Sequence, residues 1–264
     1  MTERGRLEAS PAPAAGSLLL RCRGLAQSFA AVRALRGVDF SIAAGKVRGL
    51  VGENGAGKST LAKIIAGVYT PDAGTIEIEG RPVRFTGAEQ ALAQRIVTVH
   101  QDINLVQTMN VAENLLLNNE PTHGFGIIRR KTMRASAQRL LEKYEIGVDP
   151  NDDVGSLPND LKKMVQIVKA VSLEPKILIL DDALSSVDTD TEERILRRLR
   201  EVMRARTSIL ISHRVSTVKN ADQIVVLRDG RIIERGTHDE LLALGGYYAD
   251  LNQKQMLEEE LERE

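Results

Sequence analysis

An α/β fold is predicted, with a parallel-sheet core, an antiparallel β subdomain and an inserted α-helical subdomain. Three observations point to it. Short apolar β-type runs alternate with helical stretches along most of the 264 residues. A glycine-rich loop joins one of those runs directly to a helix. Between residues 102 and 172 the strand pattern gives way to apolar spacings of three and four residues, which belong to amphipathic helices.

In chain order, residues 1–16 carry charges and then a proline- and alanine-rich stretch, and read as a flexible tail. Residues 17–101 hold the first part of the core together with the β subdomain. Their strands are expected at 18–23, 38–42, 47–51, 75–79 and 96–99. Residues 102–172 form the helical subdomain, with helices at 132–144 and 161–173. Strands return over 173–245, at 176–180 and 208–211. A further pair, 223–227 and 231–234, meets across Asp229-Gly230, a hairpin signal. Residues 246–264 read as a helix ending in an acidic run, which on charge grounds is a solvated tail.

Bulk properties narrow the function classes. Lysine plus arginine and aspartate plus glutamate number 36 each, so no global basic field argues for nucleic acid. The single cysteine, Cys22, excludes an internal disulfide framework and suits a reducing compartment. No apolar run approaches the roughly 20 residues that span a bilayer. The N-terminal apolar stretch is too short for a signal peptide. A cytoplasmic protein is expected, reaching the membrane only through a partner.

The chemistry concentrates in residues 52–59, Gly52-Glu53-Asn54-Gly55-Ala56-Gly57-Lys58-Ser59, followed by Thr60. This is a complete G-x-x-x-x-G-K-[ST] loop. Its glycines let the backbone curl so that successive N–H groups face phosphate oxygens. Lys58 reaches the β- and γ-phosphates and the Ser59 hydroxyl is placed for Mg²⁺. A helix starting at Lys58 adds its positive end to the same site. A P-loop NTPase core follows, with a nucleoside triphosphate and Mg²⁺ as the expected ligands.

From residue 18 to 251 the chain resembles an ATP-binding cassette of an ABC transporter. That resemblance implies a RecA-like core, ATP as the nucleotide cofactor and roles for further residues. Phe29 matches the aromatic that stacks on adenine. Gln101 matches the glutamine loop that senses Mg²⁺ and γ-phosphate. The run 177–180 followed by Asp181 matches Walker B, with Asp181 holding the Mg²⁺ shell alongside Ser59 and Gln101. Asp182 stands where active members carry the glutamate that orients or deprotonates water. Ser185-Ser186-Val187-Asp188 matches the loop that crosses the dimer interface. His213 matches the switch histidine on the γ-phosphate. Taken alone, a lone Phe, Gln or His more often reads as structural; their order along the chain is what gives them these roles.

Two departures bear on turnover. Asp182 keeps the charge of the usual glutamate but retracts the carboxylate, and general-base effects of roughly 10²–10⁴-fold depend on reach. The signature element LSGGQ aligns with Leu157-Pro158-Asn159-Asp160-Leu161. Pro158 removes a hydroxyl and a backbone N–H, and Asp160 brings negative charge towards a phosphate held by the opposing cassette. Proline remains comfortable at a helix start.

The resemblance is mixed along the chain. The first two-thirds look like the N-terminal cassette of monosaccharide importer ATPases, while residues from 177 onward look like exporter cassettes. Either a recombined or engineered chimera joined near 172–180, or a natural cassette with mixed motifs, fits that pattern. The function implied is Mg-ATP binding and slow hydrolysis that drives a transmembrane partner, with a second cassette as homodimer or heterodimer. The alternative is a nucleotide-binding module that dimerises with little or no hydrolysis. A role in DNA repair or translation lacks the expected coiled coils and basic stripe. A small GTPase is excluded because Lys219-Asn220-Ala221-Asp222 has the wrong order for a guanine-reading motif.

Overall fold

A computed structural model describes residues 16–182, 203 and 206–261. Residues 1–15 and Asp188 with its loop lie outside them. The elements run β1 (Leu18–Phe29), β2 (Val32–Ala43), β3 (Val47–Val51), α1 (Lys58–Ile65), β4 (Ala73–Ile78), β5 (Arg81–Val83), α2 (Ala88–Ala93) and β6 (Ile96–Val99). They continue with α3 (Val111–Leu116), α4 (Arg130–Lys143), α5 (Asn159–Ser172), β7 (Ile177–Asp181), β8 (Thr207–Ser212) and α6 (Val215–Val218). The last are β9 (Gln223–Arg228), β10 (Arg231–Gly236), α7 (His238–Leu244) and α8 (Tyr247–Leu261).

Two sheets organise these elements. A four-stranded antiparallel sheet has the order β2-β1-β4-β5, and a six-stranded sheet has the order β10-β9-β3-β8-β7-β6. In the larger sheet β9, β3, β8, β7 and β6 are parallel, and β10 returns antiparallel to β9. The β9–β10 turn uses Asp229 and Gly230 at φ 49° and 73°, the left-handed pair that a two-residue hairpin matching strand twist demands.

The parallel strands are apolar on both faces because both faces are covered. Leu178 and Leu180 of β7 join the apolar cluster that includes α3, α4 and α5, whereas Ile177 and Ile179 join the cluster shared with α1 and the antiparallel sheet. The same alternation repeats in β8, where Leu210 faces the first cluster and Ile209 and Ile211 the second. That is why 177–181 reads as an unbroken apolar run.

In the helical region α3 packs on α4 and α5. Its start is closed by a capping box between Asn110 and Glu113. Asn114, fully buried, accepts from the Val106 N–H at 2.8 Å and donates to the carbonyls of Val106 and Asn110. The amide replaces solvent for a segment that has no ladder of its own.

Candidate nucleotide site

Parallel strands deliver the predicted residues to one edge of the sheet. Val51 is in register with Ser212, Asp181 with Ile211, and Val99 with Leu180. The glycine loop, Asp181-Asp182, His213 and Gln101 therefore all leave the carboxyl ends of neighbouring strands, where open α/β sheets bind ligands. Strand β8 separates the loop strand β3 from β7.

The loop conformation needs its glycines. Gly52 has φ +154°, and a Cβ there would lie 2.1 Å from the Leu227 carbonyl oxygen. Gly57, at φ +106°, would place a Cβ 2.5 Å from the Ala34 carbonyl oxygen. Gly57 is followed by α1, whose first turn holds no acidic residue to oppose an anion. Lys58 is buried, and its ammonium donates to the carbonyls of Gly52 at 2.8 Å and Glu53 at 3.0 Å. Burial pulls its pKa below the ordinary lysine value, opposed by the charges of Asp182 and Asp181. An anionic ligand would relieve that tension.

Ser59 Oγ donates to Asp181 Oδ1 at 3.2 Å. Burial pushes the Asp181 carboxyl upward; the Ser59 bond opposes the shift and the Asp182 charge adds to it. A hydroxyl beside a carboxylate at a helix N-terminus is a hard-oxygen pair that suits Mg²⁺, which takes one or two protein oxygens and completes its shell with phosphate and water. Among the described residues no group of three or more His, Cys, Asp or Glu side chains is arranged to hold a metal alone. Thus the donors fit a phosphate-bound ion. Asn54, Gly55 and Ala56 lie in the same loop, and Thr60 follows Ser59 in α1. The loop is tied to the β9–β10 turn by the bond from the Gly230 N–H to the Ala56 carbonyl at 3.1 Å.

Asp182 sits just past β7 at φ 44°, a left-handed conformation that aspartate tolerates better than most residues. Its Oδ1 accepts the His213 backbone N–H at 3.2 Å and lies 3.1 Å from ring Nδ1. The sequence-predicted pair is therefore in direct contact.

Gln101 lies after β6 with an exposed side chain, and its carbonyl accepts from the buried Lys163 of α5. Phe29 ends β1, partly exposed, edge-on to Tyr69 with ring centroids 5.1 Å apart. Its register partner Val32 is two residues before Ala34, which abuts Gly57. Leu157, Pro158, Asn159, Asp160 and Leu161 form the entry to α5. Pro158 is the N-cap, Asn159 the first helical residue and Asp160 stands in the first turn. The helix survives the proline because the N-cap lies before the first helical residue and its missing N–H takes no bond from the helix.

Sequence reasoning missed Tyr69, Lys163 and Gln255. Tyr69 falls in an importer-like stretch but carries no assigned role, and a lysine or glutamine on a helix reads as a solvated position unless the tertiary neighbour is known.

A P-loop nucleotide-binding fold of mixed α/β type is defined by this geometry. The chain belongs to the ABC transporter family, whose profile matches residues 35–185. A putative ribose/galactose/methyl galactoside import ATP-binding protein of Burkholderia lata is 44% identical over 235 residues, covering 87% of this chain and 44% of that protein. A ribose import ATP-binding protein of Rubrobacter xylanophilus is 42% identical, over 84% of this chain and 44% of its own length. The chain spans a little under half the length of these curated relatives. A crystal structure of an ABC transporter's ATP-binding cassette in its ADP conformation superposes with a TM-score of 0.77 at 25% identity, covering 89% of this chain and 98% of that one. An Atm1-family bacterial ABC exporter with ATP bound gives 0.73 at 29%, over 95% of this chain and 44% of that one. Importer similarity of 235 residues runs well past residue 177, and these matches lend no support to a junction between two sources.

Proposed function

We propose that the chain is an ATPase module that binds Mg-ATP and hydrolyses it to drive import of a monosaccharide through a transmembrane partner at the cytoplasmic face of a membrane. The observation that carries this is the convergence of Lys58, Ser59, Asp181, Asp182 and His213 at adjoining strand ends. Lys58 and the loop amides bind the polyphosphate. Ser59 and Asp181 hold Mg²⁺, with Gln101 as the third metal-side residue. Asp182 positions the attacking water and His213 the γ-phosphate, so that charge developing in transfer meets fixed donors. Phe29 supports the adenine. Sugar specificity is carried over from the names of the import relatives. Among the described residues no helix is long and apolar enough to cross a membrane, so the translocation path is assigned to the partner.

A second cassette, whether another copy or a relative, completes each site through its signature element and the loop containing Asp188. Pro158 and Asp160 weaken that contribution, and Asp182 shortens the base, so hydrolysis is slow. Steady-state ATP turnover of the purified chain against Lys58→Ala tests the proposal. Turnover that vanishes in Lys58→Ala supports it. Tight Mg-ATP binding with turnover equal to that of Lys58→Ala makes the chain a nucleotide-binding module instead.

A further inference from the structure

The C-terminal helix α8 was expected from sequence to end as a solvated acidic tail, yet its inner face reaches the switch loop. Its first turn is fixed by Glu234, whose two carboxylate oxygens accept the N–H groups of Tyr247 at 2.6 Å and Tyr248 at 3.0 Å. Tyr248 is fully buried, with its hydroxyl 2.8 Å from His238 Nδ1. Tyr248, Leu251 and Gln255 follow at i, i+3 and i+7, one stripe of an α-helix. Leu251 packs on the core, so Gln255 is carried to the same side.

There the Gln255 amide makes two short bonds. Nε2 donates to the His213 carbonyl at 2.6 Å, and Oε1 accepts the Val215 N–H at 2.7 Å. The two bonded groups flank Arg214, whose own N–H goes to Ser212 Oγ at 3.0 Å. With the His213 N–H on Asp182, every backbone N–H from His213 to Val215 has a side-chain acceptor. A loop with no strand partner is thereby held at both ends of the residue that follows the histidine.

We propose that Gln255 is a positioning residue for the switch loop: by gripping the backbone on both sides of Arg214 it keeps the His213 ring on Asp182, and its kinetic consequence rests on the ATPase reading above. An amide suits this task because it supplies one donor and one acceptor at fixed spacing. Leucine has similar volume and neither group. Glutamate keeps the acceptor for Val215 but offers the His213 carbonyl no donor.

The test uses the full chain with Gln255→Leu and Gln255→Glu, read three ways. In steady-state kinetics Gln255→Leu is expected to lower kcat about tenfold with KM for ATP within about twofold, because an orienting contact acts after binding. In ring-nitrogen NMR the His213 signal, assigned by its loss in His213→Ala among the four histidines, shifts in Gln255→Leu. In amide exchange Val215 loses protection in Gln255→Leu and keeps it in Gln255→Glu. Unchanged kcat in an active chain overturns the proposal, as does an unmoved His213 signal. A loss of kcat, KM and thermal melting together also overturns it, since that marks a merely structural residue. If wild type shows no Lys58-dependent turnover, the ATPase reading fails on its own. The His213 signal and Val215 exchange then decide the positioning role.

Discussion

The Asp182 carboxylate holds His213 twice, through the backbone N–H at 3.2 Å and at ring Nδ1 at 3.1 Å. The contact exists because β7 and β8 are parallel neighbours with Asp181 opposite Ile211, so the residues just past each strand end emerge side by side. With Nδ1 turned to the carboxylate, Nε2 is the ring nitrogen left for the γ-phosphate contact proposed above. One short acidic side chain thus orients the histidine, and under the proposed function it would also supply charge beside the attacking water.

Replacing Asp182 with asparagine should leave Mg-ATP affinity within a few-fold of wild type and lower turnover about 100-fold, the ordinary size of a general-base contribution. Asp182→Glu should raise turnover, because the longer side chain restores the reach that aspartate lacks. Calorimetry and steady-state hydrolysis on the same preparations separate binding from chemistry. Wild-type turnover in Asp182→Asn would remove Asp182 from the reaction.

Lys58→Ala deletes the only side-chain cation at the glycine loop among the residues assigned to it. Hydrogen bonds to charged groups contribute about 1.5–3 kcal/mol, so Mg-ATP affinity should fall about ten- to hundredfold. Calorimetric titration of both proteins checks this. Because Lys58 also donates to the carbonyls of Gly52 and Glu53, melting curves of both proteins are recorded so that lost affinity is read only on folded material.

The glycine loop and the apolar strands were legible because their physics is local. A phosphate cradle needs glycine at fixed spacing, and a doubly covered strand needs apolar residues throughout, as 177–180 show. The helix start at Pro158 was legible for the same reason. What stayed hidden is tertiary. In the 12-residue strand β1 burial still alternates at Leu25 and Gln27, but the buried residue Gln27 is polar and the exposed Phe29 apolar, so the sequence does not show it. The short helix α3 has an apolar pair, Val111 and Leu115, too brief to read as a period, and its cap and buried Asn114 fix where it starts. Gln255 acquires meaning only when α8 is seen to cross the loop after β8.

Gly52→Ala should be strongly destabilising. The added Cβ would collide with the Leu227 carbonyl at 2.1 Å, and the backbone conformation itself excludes side chains. A loss of about 3 kcal/mol or more is expected, at the upper end for single substitutions. Urea unfolding at constant m-value measures it. Gly55→Ala is the control: its Cβ would meet nothing within 4 Å, leaving only the cost of its φ of +82°.

Asp181 should set a trade between stability and metal binding. Burial raises its carboxyl pKa in the folded state, so the folded chain holds that proton more tightly than the unfolded chain does. Stability is therefore lost as pH rises from about 3.9, the ordinary aspartate value, through the raised folded value. Above that raised value the full cost is present. Asp181→Asn removes it while still accepting the Ser59 bond, so without ligand the variant should melt above wild type at pH 7, with the gap closing as pH falls towards about 4. Each kcal/mol recovered is worth about 2–4 °C in a chain of this size. Saturating Mg-ATP should reverse the order, because the ion rewards the charge that folding penalises and stabilises only the protein that binds it. Melting curves at pH 5 and 7, with and without Mg-ATP, decide the matter; a variant less stable than wild type without ligand at pH 7 would show that the Asp181 carboxylate is already compensated by its neighbours.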